Sequence, residues 1–222
     1  MHKKHLPNFD TIAFAYDTLV SWVFGSSIKR AQFDTLSWIP EGATVLIIGG
    51  GTGWYLKELL VQKKPRKVVY LEASQQMLNL TSKKIKSILP RIPDTIVELR
   101  LGAEENIYPG EHFDIIVTHF FLDVFDQVRL KKIVHTLNSV LAWEGLWLIA
   151  DFRLPEPKAG IDYLWKIMLV KIMLLFFRVV SHITAQKLPE FPELFNKIKM
   201  HSVYDNFFYR GLIFSSVYVR KK

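Results

Sequence analysis

The chain has 222 residues, half of them apolar and 14% aromatic, enough for one globular domain with a full core. Cysteine is absent, which excludes disulfides, thiolate metal sites and a cysteine nucleophile. The net charge of +8 lies in short clusters such as "KKPRK" (63–67), "KKIK" (83–86) and the final "RKK"; without one basic stripe interleaved with aromatics, nucleic acid is not expected as a partner.

In chain order, "DTIAFAYDTLVSWVF" (10–24) has apolar residues at helical spacing, with Asp10 as its N-cap and Gly25 as its stop. A second helix is predicted over about 28–38. A repeating order follows: strand 44–48, helix 54–62, strand 67–72, helix 75–88, strand 96–102, strand 113–120, helix 126–141 and strand 145–152. The continuous Val/Ile/Leu runs indicate strands buried on both faces, hence a parallel, doubly wound sheet. "HSVYDNFFYR" and "GLIFSSVYVR" alternate instead and meet at Arg210-Gly211, as an antiparallel hairpin would. The expected fold is α/β: a mostly parallel seven-stranded sheet with a C-terminal antiparallel hairpin, forming a single domain over 1–222.

The first strand runs into "IIGGGTGWY" (47–55). Gly49, Gly51 and Gly53 bracket Thr52, so the main chain is bare at the mouth of a helix whose N–H groups are unpaired. A dinucleotide fingerprint needs a small residue where Trp54 stands, and no P-loop Lys-Ser/Thr pair follows. A ligand with a small carboxylate remains. Glu72 ends the second strand, 19 residues beyond Gly53, where a carboxylate can accept both hydroxyls of a ribose; a solvated strand-end acid is the alternative.

These features resemble the class I S-adenosylmethionine (SAM)-dependent methyltransferases, which have a Rossmann-like sheet ending in such a hairpin. "FDTIAFAYD" (9–17), "FGSSIKR" (24–30), "GAEENIYPGEHFDIIV" (102–117) and "LNSVLAWEGLWLIADFRLP" (137–155) are similar to the ubiquinone/menaquinone C-methyltransferase branch. "EASQQML" (72–78) resembles the family's Asp/Glu-x-Ser-x-x-Met-Leu run. The resemblance covers about residues 9–155. It implies SAM as cofactor, held by Gly49, Gly51, Thr52, Gly53, Glu72, Ala73, Met77 and the Ala103 backbone, with Tyr16 closing over it and His119 and Phe120 beside the methyl group. Tyr16 also reads as a core tyrosine, and Met77 as a core methionine. Two departures stand out. The acid that usually precedes the first glycine by two residues is Ile47, and the acid expected to meet the adenine falls at Gly102, leaving Glu104 as a substitute.

For chemistry, "THFFLDVF" (118–125) ends the fourth strand, and ligands of a parallel sheet lie beyond the strands' carboxyl ends. His119 is the general-base candidate, the alternative being an imidazole that bonds the cofactor without taking protons. Asp123 is the second candidate, with a helix N-cap as its other reading. Tyr16 is the third residue at the methyl group, and Phe120 and Phe121 are expected to wall the pocket. No histidine pair at metal-ligand spacing is present, so no metal is expected.

"IDYLWKIMLVKIMLLFFRVVSHI" (161–183) is apolar almost all round, but Lys166, Lys171 and Arg178 interrupt it too often for a membrane span. A homodimer contact, a lid over an apolar substrate and peripheral membrane contact are its three readings. With helices over 1–40 and a helical insertion over 155–200 covering the substrate side, the expected activity is methyl transfer to a small or lipid-like acceptor with an apolar body. A non-catalytic binding protein of the same fold is the alternative. The opening "MHKKHLPNFD" has no apolar signal core, and a cytoplasmic location is expected.

Overall fold

The computed structural model describes residues 24–154, 164–170 and 188–221. Strands β1 (Thr44–Ile48), β2 (Lys67–Glu72), β3 (Ile96–Leu101), β4 (Phe113–His119), β5 (Leu141–Phe152), β6 (Met200–Phe208) and β7 (Ile213–Arg220) form one sheet, ordered β3-β2-β1-β4-β5-β7-β6. The first five pair in parallel, while β7 runs antiparallel to both β5 and β6. The chain order reverses between β1 and β4, so a crevice opens beyond their carboxyl ends.

Helices α1 (Ser27–Asp34), α2 (Trp54–Gln62), α3 (Gln75–Ile85), α4 (Gln127–Val140) and α5 (Phe191–Lys197) cover the sheet. Alternate side chains of β1 separate the core into two layers. Val45 and Ile47 pack with Tyr55, Leu56 and Leu59 of α2, and Leu46 and Ile48 pack in the layer that holds Leu130, Ile133 and Leu137 of α4. Every residue of β1 is buried, which is why the run carries no polar alternation. At the sheet edge, β3 is charged instead. Glu98 and Arg100 meet Lys67 and Glu111, and these ion pairs blunt the unpaired strand.

Three element boundaries differ from expectation for local reasons. α3 stops at Ile85, and a 3-10 turn at Leu89–Arg91 around Pro90 takes over. β5 starts at Leu141 rather than 145, because Phe113 pairs with Leu141 before the register shifts. Gly145 makes that bulge feasible: a Cβ there would lie 2.6 Å from Leu141 Cδ1 and 2.9 Å from the Asp114 carbonyl oxygen. The N-cap of α4 is Asp126, which accepts from the Val128 and Arg129 N–H groups, and not Asp123.

Of the 155–200 stretch, residues 164–170 and 188–200 are among those described. Within it, α5 buries Phe191 and Phe195 in the α4 layer, where the Phe195 ring meets Trp147 edge-on at 5.0 Å and stacks on Tyr218 at 3.9 Å. Residues 164–170 are helical, with Val170 packed beside Phe24, Phe152 and Leu212 near the carboxyl ends of the strands. Most of the 161–183 helix and its dimer reading lie outside the described residues. Among the described residues, no helix is long and apolar enough to cross a membrane.

Candidate functional site

Three left-handed glycines shape the loop after β1. Gly49, Gly51 and Gly53 have φ of +68°, +63° and +74°, values that cost any other residue steric strain. They are not equivalent. A Cβ on Gly49 would sit 2.2 Å from the Phe121 ring, and one on Gly53 would sit 2.6 Å from Thr81. At Gly51 a Cβ would meet nothing within 4 Å, so this glycine faces open space. Gly50, which sequence reasoning passed over, is there for Tyr70: a Cβ would come within 2.4 Å of its ring. Tyr70 and Thr81 both donate to the Gly51 carbonyl, at 2.9 and 3.1 Å, and hold the loop from behind.

Glu72 is buried at the end of β2, and its carboxylate clasps the same loop. Oε2 accepts from the Gly51 N–H at 2.9 Å, and Oε1 accepts from the Ser74 N–H at 3.0 Å.

The loop forms one wall of a cavity of about 160 Å³ beyond β1 and β4. Of the expected site residues, Gly49, Gly51, Thr52, His119 and Phe120 line it, while Gly53 and Glu72 do not. Ile28, Lys29 and Gln32 of α1 also line it, as do Trp54 and Lys84. Lys84 Nζ lies 3.3 Å from Thr52 Oγ1, and Lys29 Nζ sits 5.7 Å from the centre of the Trp54 ring. These α1 and α3 residues carry no motif; their only signal was helical spacing. A larger recess of about 470 Å³ lies beside α5 and β6, away from the switch between β1 and β4.

His119 projects from the last position of β4 and is buried beside Tyr55, whose ring it meets edge-on at 4.5 Å. Its Nε2 lies 3.2 Å from Thr35 Oγ1. That hydroxyl donates to the Gln32 carbonyl at 2.9 Å, so it can only accept from the ring, and Nε2 carries the proton. The Tyr55 hydroxyl, 3.2 Å from the same Oγ1, is likewise its donor. Nδ1 is buried and has no hydrogen-bond partner among the described residues. Burial pushes the imidazole pKa down to about 3, so the ring is neutral at any physiological pH. A ring this reluctant to charge is a poor proton acceptor, and the geometry favours a ligand-bonding role over general-base catalysis. The next residue, Phe120, has φ +52°, a rare conformation for an aromatic residue and a mark of local strain beside the cavity.

Several expected site residues have other partners. The Ala103 N–H donates to Asn106 Oδ1 at 3.2 Å, and a Cβ on Gly102 would collide with that oxygen at 1.9 Å. Glu104, the substitute for the missing acid, is buried against Arg129 of α4, with Oε1 2.7 Å from Nη2. Met77 is buried in α3, its N–H held by Ser74 Oγ at 3.2 Å, and Ala73 is half-buried beside it; neither lines the cavity. Tyr16 lies outside the described residues.

Asp123 is also away from the cavity. It is buried against Asp151, the second-last residue of β5, which accepts from the Phe152 N–H at 2.8 Å. Burial raises the Asp123 pKa to about 6, and burial together with the Asp123 charge raises Asp151 well above the carboxylate range. Like charges this close share a proton. Because both values are raised, the pair costs nothing below about pH 4 and destabilises the fold as pH rises through about 6. Asp151→Asn removes the charge and retains an acceptor for Phe152. It is expected to raise unfolding free energy at pH 8 by about 1–2 kcal/mol and hardly at all at pH 4. Urea titrations at pH 4, 6 and 8 check this, and an equal gain at every pH would refute the shared proton.

Residues 45–145 match the protein-family model described as "Methyltransferase domain". No curated protein sequence matches the chain. Solved structures do match it, at low identity. A chain in the Haloferax volcanii complex containing the Trm112 methyltransferase activator is 14% identical, covering 99% of this chain and 100% of its own, with a TM-score of 0.71. The Burkholderia thailandensis 1,6-didemethyltoxoflavin-N1-methyltransferase, solved with 1,6-didemethyltoxoflavin and S-adenosylhomocysteine, is 15% identical over 100% of this chain and 93% of its own, with a TM-score of 0.64. The mitomycin 7-O-methyltransferase MmcR is 16% identical over 96% of this chain, with a TM-score of 0.68, and this chain spans 61% of its length. The protein has the Rossmann-like fold of class I methyltransferases, and its residues 45–145 carry the sequence pattern of a methyltransferase domain.

Proposed function

We propose that the protein is a SAM-dependent methyltransferase acting on a small acceptor with an apolar body. The observation that carries this reading is the loop at 49–53. It is left-handed at three glycines, open at Gly51, and clasped by an acid from the neighbouring strand beside the β1–β4 switch. The donor set fits the cofactor. Gly51 allows close approach, Glu72 brings a carboxylate to the Gly51 N–H behind the loop, and the cavity-lining Lys29 and Lys84 suit a carboxylate. SAM, when bound, supplies a methyl group on a sulfonium already activated for displacement. The chain's own residues bind, orient and exclude water.

The acceptor side is aromatic. Phe120 meets Phe152 at 5.1 Å, Phe152 meets Phe24 at 4.9 Å, and Val170 packs in the same cluster. Such a wall favours an apolar acceptor body. The runs at 9–17 and 102–117 favour the ubiquinone/menaquinone C-methyltransferase branch and an isoprenoid or other lipid-like acceptor.

Calorimetry with S-adenosylhomocysteine tests the reading. Wild-type protein is expected to bind it, and Glu72→Gln to bind it at least about tenfold more weakly, since the amide loses the charge and turns a donor toward a backbone donor. Absence of heat with millimolar ligand would instead support the non-catalytic binding protein. That second reading has one observation in its favour: Ala103 and Glu104, expected at the adenine, already have partners in Asn106 and Arg129.

A further inference from the structure

His119 lines the cavity and carries one buried acceptor that the described residues leave unused. Its Nδ1 has no hydrogen-bond partner among the described residues, and an unpaired buried acceptor costs free energy unless something donates to it. The ring cannot turn its proton-bearing nitrogen there at no cost. Thr35 Oγ1 has spent its hydrogen on the Gln32 carbonyl and needs Nε2–H as a donor. Tyr55 closes the ring from the edge and donates to the same oxygen. The three side chains come from the 3-10 turn Thr35–Trp38, from α2 and from β4, so the tautomer is set by the tertiary fold.

The strand next door offers nothing comparable. Ile47 of β1 pairs with Val117 of β4, two residues before His119, so the Ile47 and His119 side chains share a face. Ile47 is buried among Tyr55 and Val117 and has no polar atom to present. Lys29 and Lys84 line the same cavity and supply positive charge. A zwitterion fits this layout, its carboxylate toward the lysines and its ammonium toward the imidazole acceptor.

We propose that His119 Nδ1 accepts a hydrogen bond from the ammonium group of the cofactor's amino-acid end, and that Thr35 and Tyr55 are positioning residues that hold the ring in the required tautomer. The inference rests on the methyltransferase reading above, and it makes His119 a cofactor ligand whose acceptor nitrogen is occupied during the reaction.

The test uses the whole protein with ¹⁵N-labelled histidine and two ligands. S-adenosylhomocysteine has the amino-acid end; 5′-methylthioadenosine has the same adenosine and thioether without it. His119 is identified among the seven histidines by the signal lost in His119→Asn. In the free protein, its ¹H–¹⁵N couplings are expected to show a protonated Nε2 and a bare Nδ1. S-adenosylhomocysteine should shift the Nδ1 resonance upfield, as a new donor does, and methylthioadenosine should leave it in place. By calorimetry, His119→Leu should lose about tenfold or more in affinity for S-adenosylhomocysteine and almost none for methylthioadenosine. His119→Asn, whose amide oxygen can occupy the place of Nδ1, should restore most of the loss. Thr35→Val should mix the two tautomers and weaken only the amino-acid-bearing ligand. A protonated Nδ1 in the free protein, or equal losses for both ligands, overturns the inference while leaving cofactor binding intact. Failure of both ligands to bind wild type overturns the methyltransferase reading itself, and this inference with it.

Discussion

Gly49→Ala is expected to destabilise the protein by about 2–5 kcal/mol, from a left-handed cost of about 1–2 and an overpacking cost of about 1–3. The added methyl has nowhere to go. It would lie 2.2 Å from Phe121 Cδ2 and 2.9 Å from Cγ, and the Phe121 ring is itself fixed in the core, edge-on to Phe125 at 5.0 Å. A loss of that size is a large share of the stability of an ordinary domain. Gly51→Ala is the control. Its backbone is equally left-handed, but its methyl would enter open space, so it should cost only the left-handed share, about 1–2 kcal/mol of stability. That methyl stands in the cavity wall, however, and ligand binding should suffer more than folding. Urea unfolding and calorimetry with S-adenosylhomocysteine, run on both variants, separate the two effects. Equal stability losses at 49 and 51 would show that the Phe121 contact is unimportant.

Asp34→Ala is expected to cost about 2–4 kcal/mol, although nothing in the sequence marks this residue. An acid as the last residue of a helix opposes the helix dipole, so its position needs another explanation. The hairpin supplies it. Asp34 Oδ1 accepts from the Tyr204 hydroxyl and from Asn206 Nδ2, both at 3.1 Å, and Oδ2 accepts from Ser215 Oγ at 2.5 Å. Ser215 is fully buried, so truncating Asp34 strands a hydroxyl away from water. Burial first, and then the Asp34 hydrogen bond and charge, raise the Tyr204 phenol pKa, so the variant should also lower it. Because Asp34 directly precedes Thr35, loosening α1 should blur the His119 tautomer as well. Thermal unfolding, phenol titration by ultraviolet absorbance and the His119 couplings give three independent checks. Unchanged stability would mean that the hairpin holds α1 through its apolar contacts alone.

The architecture was legible because it is written in period and punctuation. Runs such as "TVLII" and "KVVYLE", apolar at every interior position, have no polar face to turn to water, so they fit a sheet covered on both sides. The final segments, with polar residues set between apolar ones, fit a hairpin, in which β6 alternates between exposed and half-buried positions after Met200 while β7 is buried from Ile213 to Tyr218. The glycine loop was legible for the same reason, since left-handed backbone restricts residue choice locally.

What the sequence by itself determined is therefore the parallel sheet, the hairpin, and the bare loop with the acid one strand over. These depend on interactions within or between neighbouring segments. Only the tertiary structure decided the partners of the individual polar side chains. Asn106 takes the Ala103 N–H, Arg129 takes Glu104, Asp151 takes Asp123, and Thr35 sets which nitrogen of His119 is bare. Asp34 reaches Ser215 across 181 positions of chain. A hydrogen-bond partner is chosen by proximity after folding, and side-chain chemistry alone names many eligible donors and acceptors without saying which pair will meet.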